Sequence, residues 1–182
     1  MHKRIAGYLA FLILITAALA VQAQVVTVIH LGDIPEVSCD EVWVQDGVNL
    51  YFTSTTKEDC DGGGSCNFGH GPEGAWLYPG RLVVDFGQVY DVSMVEIDVE
   101  DYCGAGCTRA FLYNGETVLT TDWNDATGPQ TLVLVPPTKQ MMADHLAISS
   151  CEGVVTSSTI RIYADSLPAD QTSWSQVKGS YR

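Results

Sequence analysis

Apolar and polar side chains alternate along most of this chain. In residues 94–100, Val95, Ile97 and Val99 fall on one side and acidic residues fall on the other. A period of two is typical of an antiparallel strand with one buried face. The same alternation, or a short β-branched run, predicts further strands at 25–31, 42–46, 48–54, 82–86, 109–113, 116–121, 131–135, 145–151 and 159–164.

Turn residues separate these segments. Asn114-Gly115 stands between two predicted strands and is a strong hairpin signal. Pro136-Pro137 ends another strand, because proline cannot donate to the ladder. Many short strands at close spacing, without an amphipathic helical window, predict an all-β fold. We expect an antiparallel two-sheet β-sandwich of jelly-roll type, stapled by disulfides.

The alternation also predicts which side chains form the core. Residues on the apolar side of each strand should pack between the two sheets. These are residues 82, 84, 86, 95, 97, 99, 110, 112, 132, 134, 146, 148, 160 and 162.

Both ends of the chain depart from the strand pattern. Lys3 and Arg4 precede an apolar run that ends in Val21-Gln22-Ala23, which predicts a secretory signal peptide at residues 1–23. An uncleaved membrane anchor is the alternative. Cleavage would leave no membrane span and a protein that is secreted, periplasmic or on the cell surface. The expected divisions after the signal are an N-terminal strand or linker at 24–38, the β-sandwich at 39–165 and a polar tail at 166–182.

The net charge of the chain excludes some classes of binding partner. The chain carries a net charge of −13, which becomes −15 once residues 1–23, with Lys3 and Arg4, are removed. Nucleic acid and anionic lipid would be repelled by such a surface, so no nucleic-acid partner is expected. The acidity favours solubility outside a cell, with cation binding as the alternative.

Six cysteines follow the predicted signal, and in an oxidising compartment they should pair. Six cysteines allow fifteen pairings. Short spacing favours Cys60–Cys66 and Cys103–Cys107, which leaves Cys39 and Cys151 to join each other. Two close cysteine pairs can also form a zinc site, but the unequal spacings favour disulfides.

The polar side of residues 94–100 is a candidate metal site. Glu96, Asp98 and Glu100 share that side, and Asp101 follows them. Calcium prefers hard oxygen ligands of this kind, so Asp98, Glu100 and Asp101 are the predicted ligands. The alternative is a solvated sheet face without an ion.

Aromatic residues are the candidate ligand contacts. Trp76 and Tyr78 follow a glycine-rich segment, residues 57–74, that contains His70. We expect this segment to be a long loop, and loops of this length are usually either functional or disordered. Trp123 lies past the Asn-Gly turn, and Tyr102 precedes a cysteine. Aromatic faces near carboxylates and amides suit sugar rings, because the C–H face packs on the ring while hydroxyls find polar partners. Each aromatic residue could instead fill the core or cover a sheet edge.

Four runs in the chain resemble galactose-binding-like jelly-roll domains, a superfamily that includes discoidin-type domains and many carbohydrate-binding modules. The runs are Leu82-Val83-Val84-Asp85-Phe86-Gly87, residues 92–99, residues 109–115 and Ile160-Arg161-Ile162-Tyr163. The resemblance spans residues 39–165 and implies binding of glycans, cell surfaces or lipids through loops at one end of the sandwich, often with a structural calcium.

These observations favour a secreted, non-catalytic binding or surface-interaction module whose partner is a glycan or a cell-surface ligand. The sequence contains no Gly-x-Ser-x-Gly, His-Glu-x-x-His or phosphate-loop motif. A glycoside-active enzyme that uses two carboxylates is the first alternative. A purely structural extracellular protein is the second.

Overall fold

The computed structural model describes residues 24–60, 63–138 and 142–164. The predicted signal peptide at 1–23 and the predicted tail at 166–182 lie outside the described residues. The strands are β1 Gln24–His30, β2 Trp43–Gln45, β3 Val48–Thr53, β4 Phe68–Gly71, β5 Gly74–Leu77, β6 Gly80–Asp101, β7 Thr108–Asn114, β8 Thr117–Trp123, β9 Gly128–Leu134, β10 Met142–Ser150 and β11 Val155–Ala164, with one short 3₁₀ turn at Leu31–Asp33.

The strands form two antiparallel sheets, as the alternation predicted. Sheet I has the order β4-β5-β11-β6-β9, with β1 also paired to β11. Sheet II has the order β2-β3-β6-β10-β7-β8. The chain is therefore an all-β sandwich with the core between the sheets.

Strand β6 belongs to both sheets. Its first part, residues 80–85, pairs with β3 and β10 in sheet II, and its last part, residues 92–101, pairs with β11 and β9 in sheet I. Gly87 lies between the two parts with φ +70°, a conformation that glycine adopts without strain. The two strands predicted at 82–86 and 94–100 are thus one strand that bends from one sheet to the other.

The predicted core is confirmed. Each of the fourteen positions is at most 4% exposed. Aromatic rings close one end of the core, where Phe52 stacks on Phe68 at 3.9 Å and on Trp43 at 5.3 Å between ring centroids. Period-two alternation therefore identified the inward side of every strand to which it was applied.

The glycine-rich segment differs from the expected long loop. Its second half forms β4, and β4 pairs with β5 across a two-residue turn at Pro72 and Glu73. Glycines at positions 69 and 71 hid this strand, because glycine weakens the period-two pattern. The hairpin places Trp76 in the middle of a short strand.

Two of the three predicted disulfide pairings are wrong. Cys103–Cys107 forms as predicted, but the other bonds are Cys39–Cys66 and Cys60–Cys151. Spacing along the chain favoured Cys60–Cys66. The fold instead lays the segment that carries Cys60 beside the end of β10, with a Cα–Cα distance of 5.4 Å to Cys151. Because all six cysteines are paired, no thiolate is available for zinc.

The N-terminal residues 24–30 are part of the sandwich, because β1 pairs with β11 along its length. Ile29, Leu31 and Ile34 are buried in the core, so the folded unit begins before residue 39. In the part of the chain that is described, no helix has the length and apolarity needed to cross a membrane.

Candidate functional site

Trp76 presents its ring on the outer face of sheet I. The residue opposite it on β4 is Gly69. A Cβ atom at Gly69 would overlap the Trp76 indole, so the ring lies directly across the glycine. Trp76 is 39% exposed, which leaves a flat apolar surface open to solvent. The glycine therefore has a steric role, because it allows the indole to lie against the backbone of β4.

A groove lies beside Trp76 on the same face. Thr156 pairs with Trp76 on one side and with Glu100 on the other, so Trp76 and Glu100 are two strand spacings apart, about 10 Å. The groove encloses about 610 Å³. Its lining, which we call the sheet I groove, is Glu73, Asp98, Val99, Glu100, Pro129, Gln130, Thr131, Thr156 and Ser158. Carboxylates, hydroxyls and an amide thus surround a space next to an exposed indole.

Asp98 is held in place by two donors. Arg161 Nη2 donates to Asp98 Oδ2 at 2.6 Å, and the Thr131 hydroxyl donates to Asp98 Oδ1 at 3.0 Å. The hydrogen bond from Arg161 lowers the pKa of Asp98, with a smaller contribution from Thr131. Asp98 therefore stays ionised and fixed in orientation at neutral pH.

Two tyrosines extend this hydrogen-bonded surface. The Tyr163 hydroxyl donates to Glu96 Oε2 at 2.8 Å, and this bond raises the pKa of Tyr163. A hydrogen bond to Glu100 raises the pKa of Tyr102, and the charge of Glu73 acts in the same direction. Tyr102 therefore lies at the end of the groove that contains Glu73 and Glu100, and both tyrosines remain protonated donors at neutral pH.

The structure separates the three predicted calcium ligands. Asp98 and Glu100 face the groove, whereas Asp101 is buried and accepts hydrogen bonds from the backbone amides of Cys103 and Gly104 at 2.7 and 3.2 Å. Asp101 also contacts Thr108. Among the described residues, the group with metal-ligand spacing is Asp101, Cys103 and Cys107, and its two sulfurs form a disulfide. Calcium remains a prediction, without a ligand set that unites the three acids.

Two solved structures share this fold. One variant of the family 29 carbohydrate-binding module CBM29-2 aligns with a TM-score of 0.52 at 10% identity, over 82% of this chain and 100% of that chain. A second variant of CBM29-2 aligns with a TM-score of 0.50 at 8% identity, with the same coverage. The xylan-binding module CBM15 aligns at 11% identity over 79% of this chain and 97% of that chain, and its TM-score of 0.45 is too low to carry an argument. No protein-family model matches the chain, and neither does any curated protein.

The fold is an antiparallel β-sandwich of the kind that these two modules adopt. At 8–10% identity these alignments show the fold alone. The position of the binding site must therefore be inferred from the side chains of this protein.

The β-sandwich places the other predicted site residues elsewhere. Trp123 ends β8 on the outer face of sheet II, where it is 59% exposed and opposite Arg109. Tyr78 is exposed just past the end of β5. His70 pairs with the buried Ala75, so it lies on the inward side of sheet I. Trp76 and Tyr102 are thus the predicted contacts that share the face of Asp98 and Glu100.

Sequence reasoning missed the residues that organise both outer faces of this sandwich. Arg161 and Thr131 fix Asp98 on sheet I. On sheet II, Arg81 donates to Asp59 Oδ2 at 2.7 Å and to the Tyr113 hydroxyl at 3.0 Å. Burial alone would lower the pKa of Arg81, but the charge and hydrogen bond of Asp59 raise it overall. Strand register brings Asp98, Thr131 and Arg161 together, and the segment between β3 and β4 brings Asp59 to Arg81, so no local motif could have identified these contacts.

Proposed function

We propose that the protein is a non-catalytic carbohydrate-binding module and that the sheet I groove is its binding site. The observation that carries this proposal is the Trp76 ring, which lies against Gly69 and is open to solvent beside a groove of polar groups. The C–H face of a sugar packs on an indole, while its hydroxyls bind carboxylates, amides and hydroxyls. The shared fold with CBM29-2 supports this assignment.

The groove suits a neutral sugar chain. Its carboxylates at Glu73, Asp98 and Glu100 accept hydrogen bonds from sugar hydroxyls and repel anionic groups. Asp98 is already held by Arg161, so it meets a ligand without losing side-chain freedom. A linear glycan could lie from the indole of Trp76 across β11 and β6 toward Thr131.

A glycoside-active enzyme is less consistent with this groove. Asp98 and Glu100 are two residues apart on one strand, about 7 Å, which is within the range that such enzymes use. However, the two carboxylates of such an enzyme flank the scissile bond, whereas Asp98 and Glu100 project side by side from one strand, and the hydrogen bond from Arg161 lowers the pKa of Asp98, which is unsuitable for a general acid. The pair therefore matches ligand binding better than proton transfer.

Export is part of the same proposal. Three disulfides staple the described domain, and such bonds persist in oxidising compartments. Together with the signal peptide predicted at residues 1–23, they support a secreted, periplasmic or surface-attached protein that meets extracellular glycans.

A glycan array probed with the exported protein tests the proposal. We expect binding to neutral oligosaccharides, with no reducing ends released when the bound glycan is incubated with the protein. Release of reducing ends would show an enzyme. An array without any neutral glycan bound would overturn the proposed function.

A further inference from the structure

One arginine on the outer face of sheet II is without an acidic partner among the described residues. The described lysine and arginine side chains are Lys57, Arg81, Arg109 and Arg161. Arg81 pairs with Asp59, and Arg161 pairs with Asp98 and Glu96. Arg109 is exposed and forms none of the ion pairs of the described chain. The sequence contains 22 acidic residues and only 9 basic ones. A guanidinium without an acidic partner therefore makes the surface around Arg109 different in charge from the acidic remainder.

Arg109 stands next to an exposed indole. It pairs directly with Trp123 across β7 and β8, and Phe111 pairs with Thr121 in the next row on the same face. These side chains border a pocket of about 340 Å³ whose other lining residues are Gly106 and Asp122. Phe111 is 6% exposed, so it forms an apolar floor, while Trp123 forms an open wall. A guanidinium and a flat aromatic face thus converge on one concave space.

The acid that lines this pocket, Asp122, is bound to backbone amides. Asp122 Oδ1 accepts a hydrogen bond from the Trp123 amide at 2.9 Å, and Asp122 Oδ2 accepts one from the Val133 amide at 2.7 Å. Arg109 also borders a second cavity of about 500 Å³, on whose wall Glu152 lies without forming an ion pair to Arg109. Within the described chain, the guanidinium is therefore free to bind a ligand between the two cavities.

We propose that Arg109 and Trp123 form a second carbohydrate site, which takes a sugar that carries a carboxylate, such as a uronic acid. A guanidinium binds a carboxylate through two parallel hydrogen bonds, and a sugar ring packs on an indole. This site lies on sheet II, on the opposite side of the sandwich from the sheet I groove. The two sites therefore have opposite preferences: the acidic groove takes neutral sugar, and the Arg109–Trp123 pocket takes acidic sugar.

Titration of the wild-type protein with oligogalacturonate, and with the neutral oligogalactose of the same length, tests this site. We expect the acidic sugar to bind, and Arg109→Gln to weaken that binding at least about tenfold, because a charge-assisted bidentate contact is lost. Trp123→Ala should weaken it as well. Arg109→Lys keeps the charge without the planar fork and should recover part of the affinity.

Two control variants show whether binding of the acidic sugar depends on this pocket in particular. Lys57→Gln removes another described cation and should leave oligogalacturonate binding unchanged. Trp76→Ala removes the aromatic surface of the sheet I groove and should also leave it unchanged, so failure of the proposed function and failure of this site are distinguishable. Circular dichroism and melting temperature verify that each variant is folded.

Any one of three results would overturn the second site. The first is a wild-type protein that does not bind oligogalacturonate at millimolar concentration. The second is wild-type affinity for oligogalacturonate in both Arg109→Gln and Arg109→Lys. The third is Arg109-dependent binding of an acidic peptide without binding of the acidic sugar, which would identify a protein partner instead.

Discussion

Gly69 is the residue on which the aromatic surface depends. Its missing side chain allows the Trp76 indole to lie against β4, and a Cβ atom there would overlap the ring. Gly71, two residues along the same strand, has nothing within 4 Å of the corresponding Cβ position. The two glycines lie on the same strand, but of the two only Gly69 lies against the Trp76 ring. Gly71 is therefore a matched control for Gly69.

Gly69→Ala should therefore displace the Trp76 ring and weaken binding of a neutral glycan about tenfold, whereas Gly71→Ala should bind as wild type does. Titration calorimetry measures both affinities, and tryptophan fluorescence reports movement of the ring. Equal affinities for the two variants would show that the packing of Trp76 against Gly69 does not contribute to binding.

At the residue scale, the sequence identified more of the core than of the site. The period-two pattern located all fourteen core positions because each strand has one buried side. Trp76 and Tyr102 were candidates from residue type alone. Tyr102 is only two residues from Glu100, but the position of Trp76, two strands from Glu100 on the same face, follows from the register of β5, β11 and β6, which residues far apart in the chain determine together. Arg161, which fixes Asp98, lies 63 residues from it.

At the scale of elements, a buried ion pair anchors the segment between β3 and β4 to sheet II. Asp59 has no exposed side-chain surface, and the side chain of Arg81 is 8% exposed. The backbone amide of Thr56 donates to the same carboxylate at 2.7 Å. Cys60, the next residue, is bound to Cys151, so a covalent bond and an ion pair hold one short segment.

Removal of the buried Asp59 carboxylate should strongly destabilise the folded protein. Asp59→Asn leaves the Arg81 guanidinium buried without its counter-charge, and we expect a loss of about 3–5 kcal/mol in the free energy of unfolding. Asp98→Asn is the matched control, because its pair with Arg161 is about a third exposed and should contribute about 0.2–1 kcal/mol. Urea unfolding with intact disulfides measures both, and similar losses would contradict this account of the anchor.

Strands could be predicted where the alternation of apolar and polar residues was continuous. The prediction failed where glycine or a bend interrupted that alternation. The hairpin at Asn114-Gly115 forms as expected, with β7 and β8 on either side. The β4–β5 hairpin was missed because its glycines serve close packing and leave no side-chain pattern. The two halves of β6 were predicted as separate strands, because no local signal shows that a strand continues through Gly87 into another sheet.

For the whole molecule, the distribution of charge and the pairing of the cysteines were the hardest properties to predict, because both depend on residues that are far apart in the chain. Two disulfide pairings were wrong because spatial neighbours such as Cys60 and Cys151 are 91 residues apart. Net charge predicted an acidic surface, but only the folded chain shows Glu96, Asp98 and Glu100 on the outer face of sheet I and Arg109 on the outer face of sheet II. The sandwich therefore presents two chemically distinct faces.

Binding of neutral carbohydrate by Trp76 and the sheet I groove is the main function that we propose for this protein. Titration calorimetry with a neutral glycan from the array, applied to wild type, Trp76→Ala and Trp123→Ala, tests it most directly. We expect Trp76→Ala to lose at least about tenfold in affinity, about 1.4 kcal/mol, and Trp123→Ala to retain the wild-type value. Unchanged affinity in Trp76→Ala, or loss in Trp123→Ala alone, would contradict it and move the neutral-glycan site away from sheet I.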